Sequence, residues 1–250
     1  MKRIASLLVA FLLIFTFVGC GKENTEPKEI MISVAASLED PIKEIISKYE
    51  EENENTKINI NLGSSGTLRK QIQDGSGVDL FLSASEAETD KLIESGELQK
   101  DNVRVFLASR LVLVKSKNSK SDIKSIKDLD KLQGKIAIGA EGVPIGEYSR
   151  EALQNVGVWD KIQENIVFCK DAKSVLNYVK LGEVDYSIVY ANEKNNLGEA
   201  EAVELIDASL HSPVTYTFAL LNTKDDEVSK FKKYIEENIG IFEKYNFERK

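Results

Sequence analysis

Serine stands twice in this chain at one kind of place, after an apolar run and before a helical pattern. Gly63-Ser64-Ser65-Gly66-Thr67-Leu68 follows the alternation Ile58, Ile60, Leu62 and precedes the spaced pair Leu68 and Ile72. Strand, small-residue turn, helix start is an order that sets backbone N–H groups and hydroxyls at the positive end of a helix, the makings of an anion site. Glycine lets the backbone come close to a ligand, and hydroxyls add donors without charge. The same residues also read as an ordinary turn with Thr67 or Ser65 as N-cap. Ala36-Ser37-Leu38-Glu39-Asp40-Pro41 follows the run at 30–35 in the same way. Ser37 and Asp40 have the spacing of a capping box. Ile42, Ile45, Ile46 and Tyr49 then mark one helical face. Turns at the carboxyl ends of two such strands suggest one shared crevice; two independent N-caps are the structural alternative.

The elements that must position these serines follow an α/β rhythm. Residues 79–83 read as a third buried strand, and a helix over about 85–95 is stopped by Gly96. That makes βαβαβα, a parallel sheet with helices on its faces. After the apolar residues at 105–108 comes a strand at 111–114 with no helix before it, then a polar run at 115–121 and a short helix near 124–132. The rhythm then restarts. Strands are expected at 135–139, 166–169 and 186–190. Ala140-Glu141-Gly142-Val143-Pro144-Ile145-Gly146 opens one helix, and Asp171-Ala172-Lys173 opens another, stopped near Gly182. Asp171 reads as an N-cap. A strand at 214–221 and helices at 226–238 and 240–245 close the chain. The restart predicts two similar lobes with a ligand cleft between them.

Composition narrows the function. With 250 residues there is room for two cores, and 41 acidic against 33 basic residues give a net charge of −8. No polybasic stripe is present, which argues against nucleic acid as a partner. An anion bound by so acidic a chain must be held by local donors. Lys2 and Arg3 followed by the apolar stretch at 4–18 read as a secretory signal. Val18-Gly19-Cys20 resembles the lipobox of bacterial lipoproteins, although Phe17 stands where Leu is commoner. That resemblance implies cleavage after residue 19 and a lipid anchor on Cys20, on the extracytoplasmic face of the cell membrane. Residues 20–28 then form the lipidated end and a polar tether. Cys169 is left without a disulfide partner, in an apolar strand where a small buried side chain is expected.

An ordered set of segments resembles the molybdate-binding proteins of bacterial ABC transporters. It comprises Ala35-Ala36-Ser37-Leu38, Ser64-Ser65-Gly66-Thr67-Leu68, Asp79-Leu80-Phe81-Leu82-Ser83-Ala84, Val143-Pro144-Ile145-Gly146-Glu147-Tyr148, Gly157-Val158-Trp159 and Ile188-Val189-Tyr190. The resemblance runs from about residue 30 to Phe247. It implies an α/β, two-lobed type II periplasmic-binding-protein fold, each lobe a mixed, mostly parallel sheet flanked by helices. Lobe 1 would comprise 29–108 and 213–250, and lobe 2 would comprise 109–212. The implied ligand is molybdate or tungstate, bound with no cofactor and no protein-held metal, and passed to the permease subunits by a monomer. Ser37, Ser65 and Tyr190 fall on hydroxyl donors of that family, and Ile145 and Ala172 on backbone N–H donors. Ile145 replaces a commoner small residue and Ala172 a commoner Val, departures that bear on packing rather than on the donors.

A shell made only of donors suits a fully deprotonated oxyanion and penalises hydrogen phosphate, whose O–H lacks an acceptor. Glu39, Asp40, Glu141, Glu147 and Asp171 are read as helix caps or solvent-facing groups, since a carboxylate repels a dianion. A binding protein for sulfate, phosphate or another tetrahedral oxyanion is the nearest alternative. A serine esterase is more remote. Gly63-Ser64-Ser65-Gly66-Thr67 nearly spells a nucleophile elbow, but Thr67 stands in place of its last glycine, and His211 is the one histidine. One histidine and one free cysteine supply no metal-ligand cluster.

Overall fold

β1 (Lys28–Ala35) alternates so that Ile30, Ile32 and Val34 are buried, and it pairs in parallel with β2 (Thr56–Gly63) from Lys28↔Thr56 to Ala35↔Gly63. The computed structural model describes residues 27–250, so the expected signal peptide, Cys20 and nearly all of the tether lie outside the described residues. β3 (Leu80–Ser83), buried along its whole length, joins β1 in parallel on the other side. The first sheet is completed by β4 (Val103–Ser109), β10 (Val214–Leu220) and β11 (Glu248–Arg249), in the order β11-β4-β10-β3-β1-β2.

The second sheet holds β5 (Leu111–Lys115), β6 (Ile136–Gly139), β7 (Ile166–Cys169), β8 (Tyr186–Tyr190) and β9 (Glu201–Leu205), in the order β7-β6-β8-β5-β9. Two connections join the sheets, the single residue Arg110 between β4 and β5 and the segment between β9 and β10. The fold is therefore a two-lobed α/β fold. Both sheets are mixed, with a larger antiparallel share than the βα rhythm predicts. β10, β4 and β11 pair antiparallel in the first, and β5 pairs antiparallel with both β8 and β9 in the second. β9 and β11, short and exposed along much of their length, lack the apolar pattern that would mark them in the sequence.

Seven α-helices cover the sheets among the described residues: α1 (Glu39–Glu52), α2 (Ser65–Gln73), α3 (Glu86–Glu94), α4 (Pro144–Asn155), α5 (Ala172–Leu181), α6 (Asp226–Glu237) and α7 (Gly240–Lys244). α1 buries Ile42, Ile45, Ile46 and Tyr49, the face its periodicity predicts. α5 buries Val175, Leu176 and Val179 and ends on Gly182 in the left-handed conformation, φ +75°. The segment near 124–132 is a 3-10 helix, Ile126–Lys131, capped by Ser125.

Candidate functional site

The carboxyl ends of β1, β2 and β3 in one lobe face those of β6, β7 and β8 in the other, and α2, α4 and α5 begin there. In open α/β sheets this end is where ligands bind. One small cavity lies there, of about 10 Å³, far below the 300–1,000 Å³ usual for organic ligands.

All five residues expected at the site line this cavity: Ser37, Ser65, Ile145, Ala172 and Tyr190. No charged side chain among the described residues lines it. Ser37, Ser65, Ile145 and Tyr190 are almost wholly buried and Ala172 is partly so. The first N–H groups of a helix have no partner within it, so α4 and α5 bring the uncommitted amides of Ile145 and Ala172 to the cavity wall. At α5 the Asp171 carboxylate takes the Ser174 N–H (2.7 Å) and the Asp171 carbonyl takes that of Val175 (3.2 Å), as its reading as an N-cap predicts.

Two local expectations are corrected. The N-cap of α2 is Ser64, whose Oγ accepts the Thr67 N–H at 3.2 Å, not Ser65 or Thr67. Nor does Ser37 form a capping box with Asp40: a 3-10 turn, Ala36–Leu38, precedes α1, whose N-cap Leu38 offers no side-chain bond. Ser64 caps α2 and no side chain caps α1, so neither the Ser65 nor the Ser37 hydroxyl serves as a cap. Ser65 Oγ instead accepts the Ala84 N–H at 2.9 Å, and Ser37 Oγ accepts from the Tyr216 hydroxyl at 3.2 Å. Tyr190 completes the wall. Its hydroxyl is buried without a hydrogen-bond partner among the described residues, a costly state for a polar group. Burial drives its titration well above the ordinary tyrosine value, which keeps it a neutral donor.

Contacts across the cleft hold the lobes together. A Cβ placed on Gly66 of α2 would lie 2.3 Å from the Gly142 carbonyl oxygen, in the loop between β6 and α4. Lys173, at the start of α5, bonds Asp40 of α1 at 2.7 Å and lies 4.0 Å from Glu39. Asn196 donates to Asp40 (3.3 Å) and to Glu193 (3.1 Å). Burial by itself would lower the Lys173 ammonium, but the Asp40 hydrogen bond and the charges of Glu193, Asp40 and Glu39 raise it above its usual value. Asp40 therefore serves an interlobe pair, a role its sequence position did not reveal.

For Lys173→Met, ligand affinity is expected to fall about two- to fivefold, the range of a half-exposed ion pair, with the difference shrinking in high salt. Titrations of both proteins at low and high ionic strength read this; equal affinities at low salt would remove the pair from closure.

His211 and Cys169 are the remaining candidates for chemistry, and neither lines the cavity. His211 Nδ1 meets the Ser212 carbonyl oxygen at 2.8 Å, its ring packs 6.2 Å from that of Tyr148, and neither Ser64 nor Ser65 bonds to it. Cys169 is buried, and burial pushes its thiol up to about 11.

Two lobes joined by two connections, with a small uncharged cavity between facing strand ends, are the architecture of a solute-binding protein. A family model described as bacterial extracellular solute-binding protein matches residues 30–248. The chain belongs to that family. YvgL of Bacillus subtilis (strain 168), whose name provisionally assigns it to ABC transporter substrate-binding lipoproteins, is 37% identical over 250 residues, spanning 96% of this chain and 95% of its own. The molybdate-binding protein ModA of Haemophilus influenzae is 28% identical over 242 residues, 94% of each chain. Among solved structures, the substrate-binding domain of a provisionally assigned molybdenum ABC transporter from Clostridium difficile superposes with a TM-score of 0.66. It is 34% identical, over 89% of this chain and 99% of that one.

Proposed function

We propose that this chain is the substrate-binding lipoprotein of an ABC transporter, capturing molybdate or tungstate between its lobes and delivering it to the permease. In this reading lobe 1 is 29–108 with 213–250, lobe 2 is 109–212, and Cys20 carries the lipid that holds a monomer at the extracytoplasmic face of the membrane. The ligand shell consists of the hydroxyls of Ser37, Ser65 and Tyr190 and the N–H groups of Ile145 and Ala172.

One observation carries this reading: a small cavity whose lining includes the hydroxyl residues Ser37, Ser65 and Tyr190 and the helix-start residues Ile145 and Ala172, with no charged side chain and an unpartnered tyrosine hydroxyl among the described residues. A dianion taken from water needs many hydrogen bonds, and preorganised uncharged donors supply them at little reorganisation cost. Among the described residues the wall holds no carboxylate that could accept a proton from hydrogen phosphate. Sulfate, the smaller tetrahedral dianion, would fail to reach all the donors together. The relatives whose names specify molybdate or molybdenum support this choice of ion. No hydrolysis is ascribed to the chain, and the lack of a hydrogen bond from His211 to Ser64 or Ser65 favours binding over esterase chemistry.

The test is a thermal-shift titration of the full-length chain, purified in detergent, with molybdate, tungstate, sulfate and phosphate. A ligand that binds only the folded state stabilises it by RT ln(1 + [L]/Kd). Stabilisation by molybdate and tungstate alone is expected. Stabilisation by sulfate or phosphate instead would overturn the ion assignment, and no response to any of the four would overturn the oxyanion reading. Ser65→Ala is expected to weaken molybdate binding by about 1–3 kcal/mol, the value of a hydrogen bond to a charged group; unchanged affinity by calorimetry would take Ser65 out of the shell.

A further inference from the structure

Neither Ser37 nor Ser65 is free to point its hydroxyl anywhere. Ser65 Oγ receives the Ala84 N–H, a backbone donor that cannot reverse its role. Ser37 Oγ receives the hydroxyl of Tyr216, which comes from β10, the strand wedged between β3 and β4. Tyr216 is fully buried, and its ring packs edge-on against Tyr190 (5.9 Å) and Phe247 (5.1 Å), so the hydroxyl is held in one position.

We infer that Tyr216, which does not line the cavity, is a positioning residue that commits Ser37 to donate its hydroxyl hydrogen to the bound oxyanion. The inference rests on the oxyanion reading above. A hydroxyl has one hydrogen and two acceptor positions. With Tyr216 supplying a hydrogen to Ser37 Oγ, the Ser37 hydrogen is released to the cavity, and an anion there polarises the chain Tyr216–Ser37–anion in that direction. Burial drives the Tyr216 hydroxyl well above its ordinary titration range, so the donor persists through any pH at which the receptor works. Tyr216→Phe removes only that oxygen. The Ser37 hydroxyl then rotates freely, and one of its acceptor positions is open to the hydrogen of a protonated ion. Selectivity for a fully deprotonated anion is thus built by groups behind the wall as well as by the wall.

The experiment is a double-mutant cycle by calorimetry with sodium molybdate on the full-length chain in detergent, comparing wild type, Tyr216→Phe, Ser37→Ala and the double variant. Tyr216→Phe is expected to weaken molybdate binding about three- to tenfold when Ser37 is present, the value of one net hydrogen bond, and less than about twofold when residue 37 is alanine. An equal loss in both backgrounds would mean that Tyr216 acts through packing and would overturn the inference, as would unchanged affinity in Tyr216→Phe. Absence of molybdate binding by the wild type would instead strike the oxyanion reading itself. Should the Phe variant fail to fold, 3-fluorotyrosine at position 216 keeps the ring and a more acidic hydroxyl. It is expected to bind molybdate at least as tightly as the wild type, and weaker binding would overturn the inference.

Discussion

Gly66→Val is expected to lower molybdate affinity by about a hundredfold or more while leaving the thermal stability of the ligand-free protein nearly unchanged. Even the first atom of a side chain at 66 falls 2.3 Å from the Gly142 carbonyl oxygen, a contact that no side-chain rotation relieves, because the Cβ is fixed by the helix backbone and the oxygen is itself backbone. The clash exists only when α2 of lobe 1 meets the β6–α4 loop of lobe 2. Opening the cleft relieves it. An opened cleft separates Ser37 and Ser65 from Ile145, Ala172 and Tyr190, so the anion loses at least two donors. At about 1.5 kcal/mol or more for each hydrogen bond to a charged group, that is about 3 kcal/mol, or a hundredfold in Kd. The free protein is spared because position 66 sits in the first turn of a helix with ordinary backbone angles, where replacing glycine costs little. Calorimetry together with thermal unfolding separates the two effects. Retained affinity would show that the lobes need not close this far to bind.

The second large effect concerns the helix that carries Ser65. Arg69 of α2 bonds Glu88 of α3 at 2.7 Å, Lys91 reaches the same carboxylate at 2.5 Å, and Gln73 also bonds Arg69. The Glu88 side chain is 2% exposed, whereas Lys91 is 47% exposed and a weak substitute for Arg69. Arg69→Ala is therefore expected to destabilise the protein by about 3 kcal/mol, since it strands a buried carboxylate. Adding Glu88→Leu to Arg69→Met should recover most of that loss, because the cost lies in the orphaned charge and not in the missing attraction. Chemical denaturation of the three proteins measures both values. A double variant less stable than Arg69→Ala would mean that the ion pair itself holds α2 against α3.

Much of the lobe structure was legible because it depends on local periodicity. β1, β3, β8 and the buried face of α1 each announce themselves by the spacing of their apolar residues. Stops such as Gly96 and Gly182 take left-handed angles that glycine adopts without strain. The five expected site positions, all of which line the cavity, were reached through the resemblance to molybdate-binding proteins, with the two serines also marked by their place after strands. Capping was read less well at the serine turns. Ser64 and Ser65 are chemically alike, and which one caps is decided by where the backbone of β2 enters α2. The exposed strands β9 and β11 left no apolar signature, and their pairing is set by neighbours far along the chain.

By itself the sequence determined the α/β rhythm, its restart halfway, and the placing of small hydroxyl and glycine residues at strand ends, since these follow from side-chain size and spacing along the chain. Only the tertiary structure decided that Tyr216 stands behind Ser37, that the Ala84 N–H stands behind Ser65, and that Gly66 abuts Gly142 and Lys173 meets Asp40 across the cleft. These pairs join residues from 19 to 179 positions apart, or glycines with no side chain to signal a partner. Hydrogen-bond direction and backbone contact depend on where two strands or two lobes come to rest, and no local spacing encodes that.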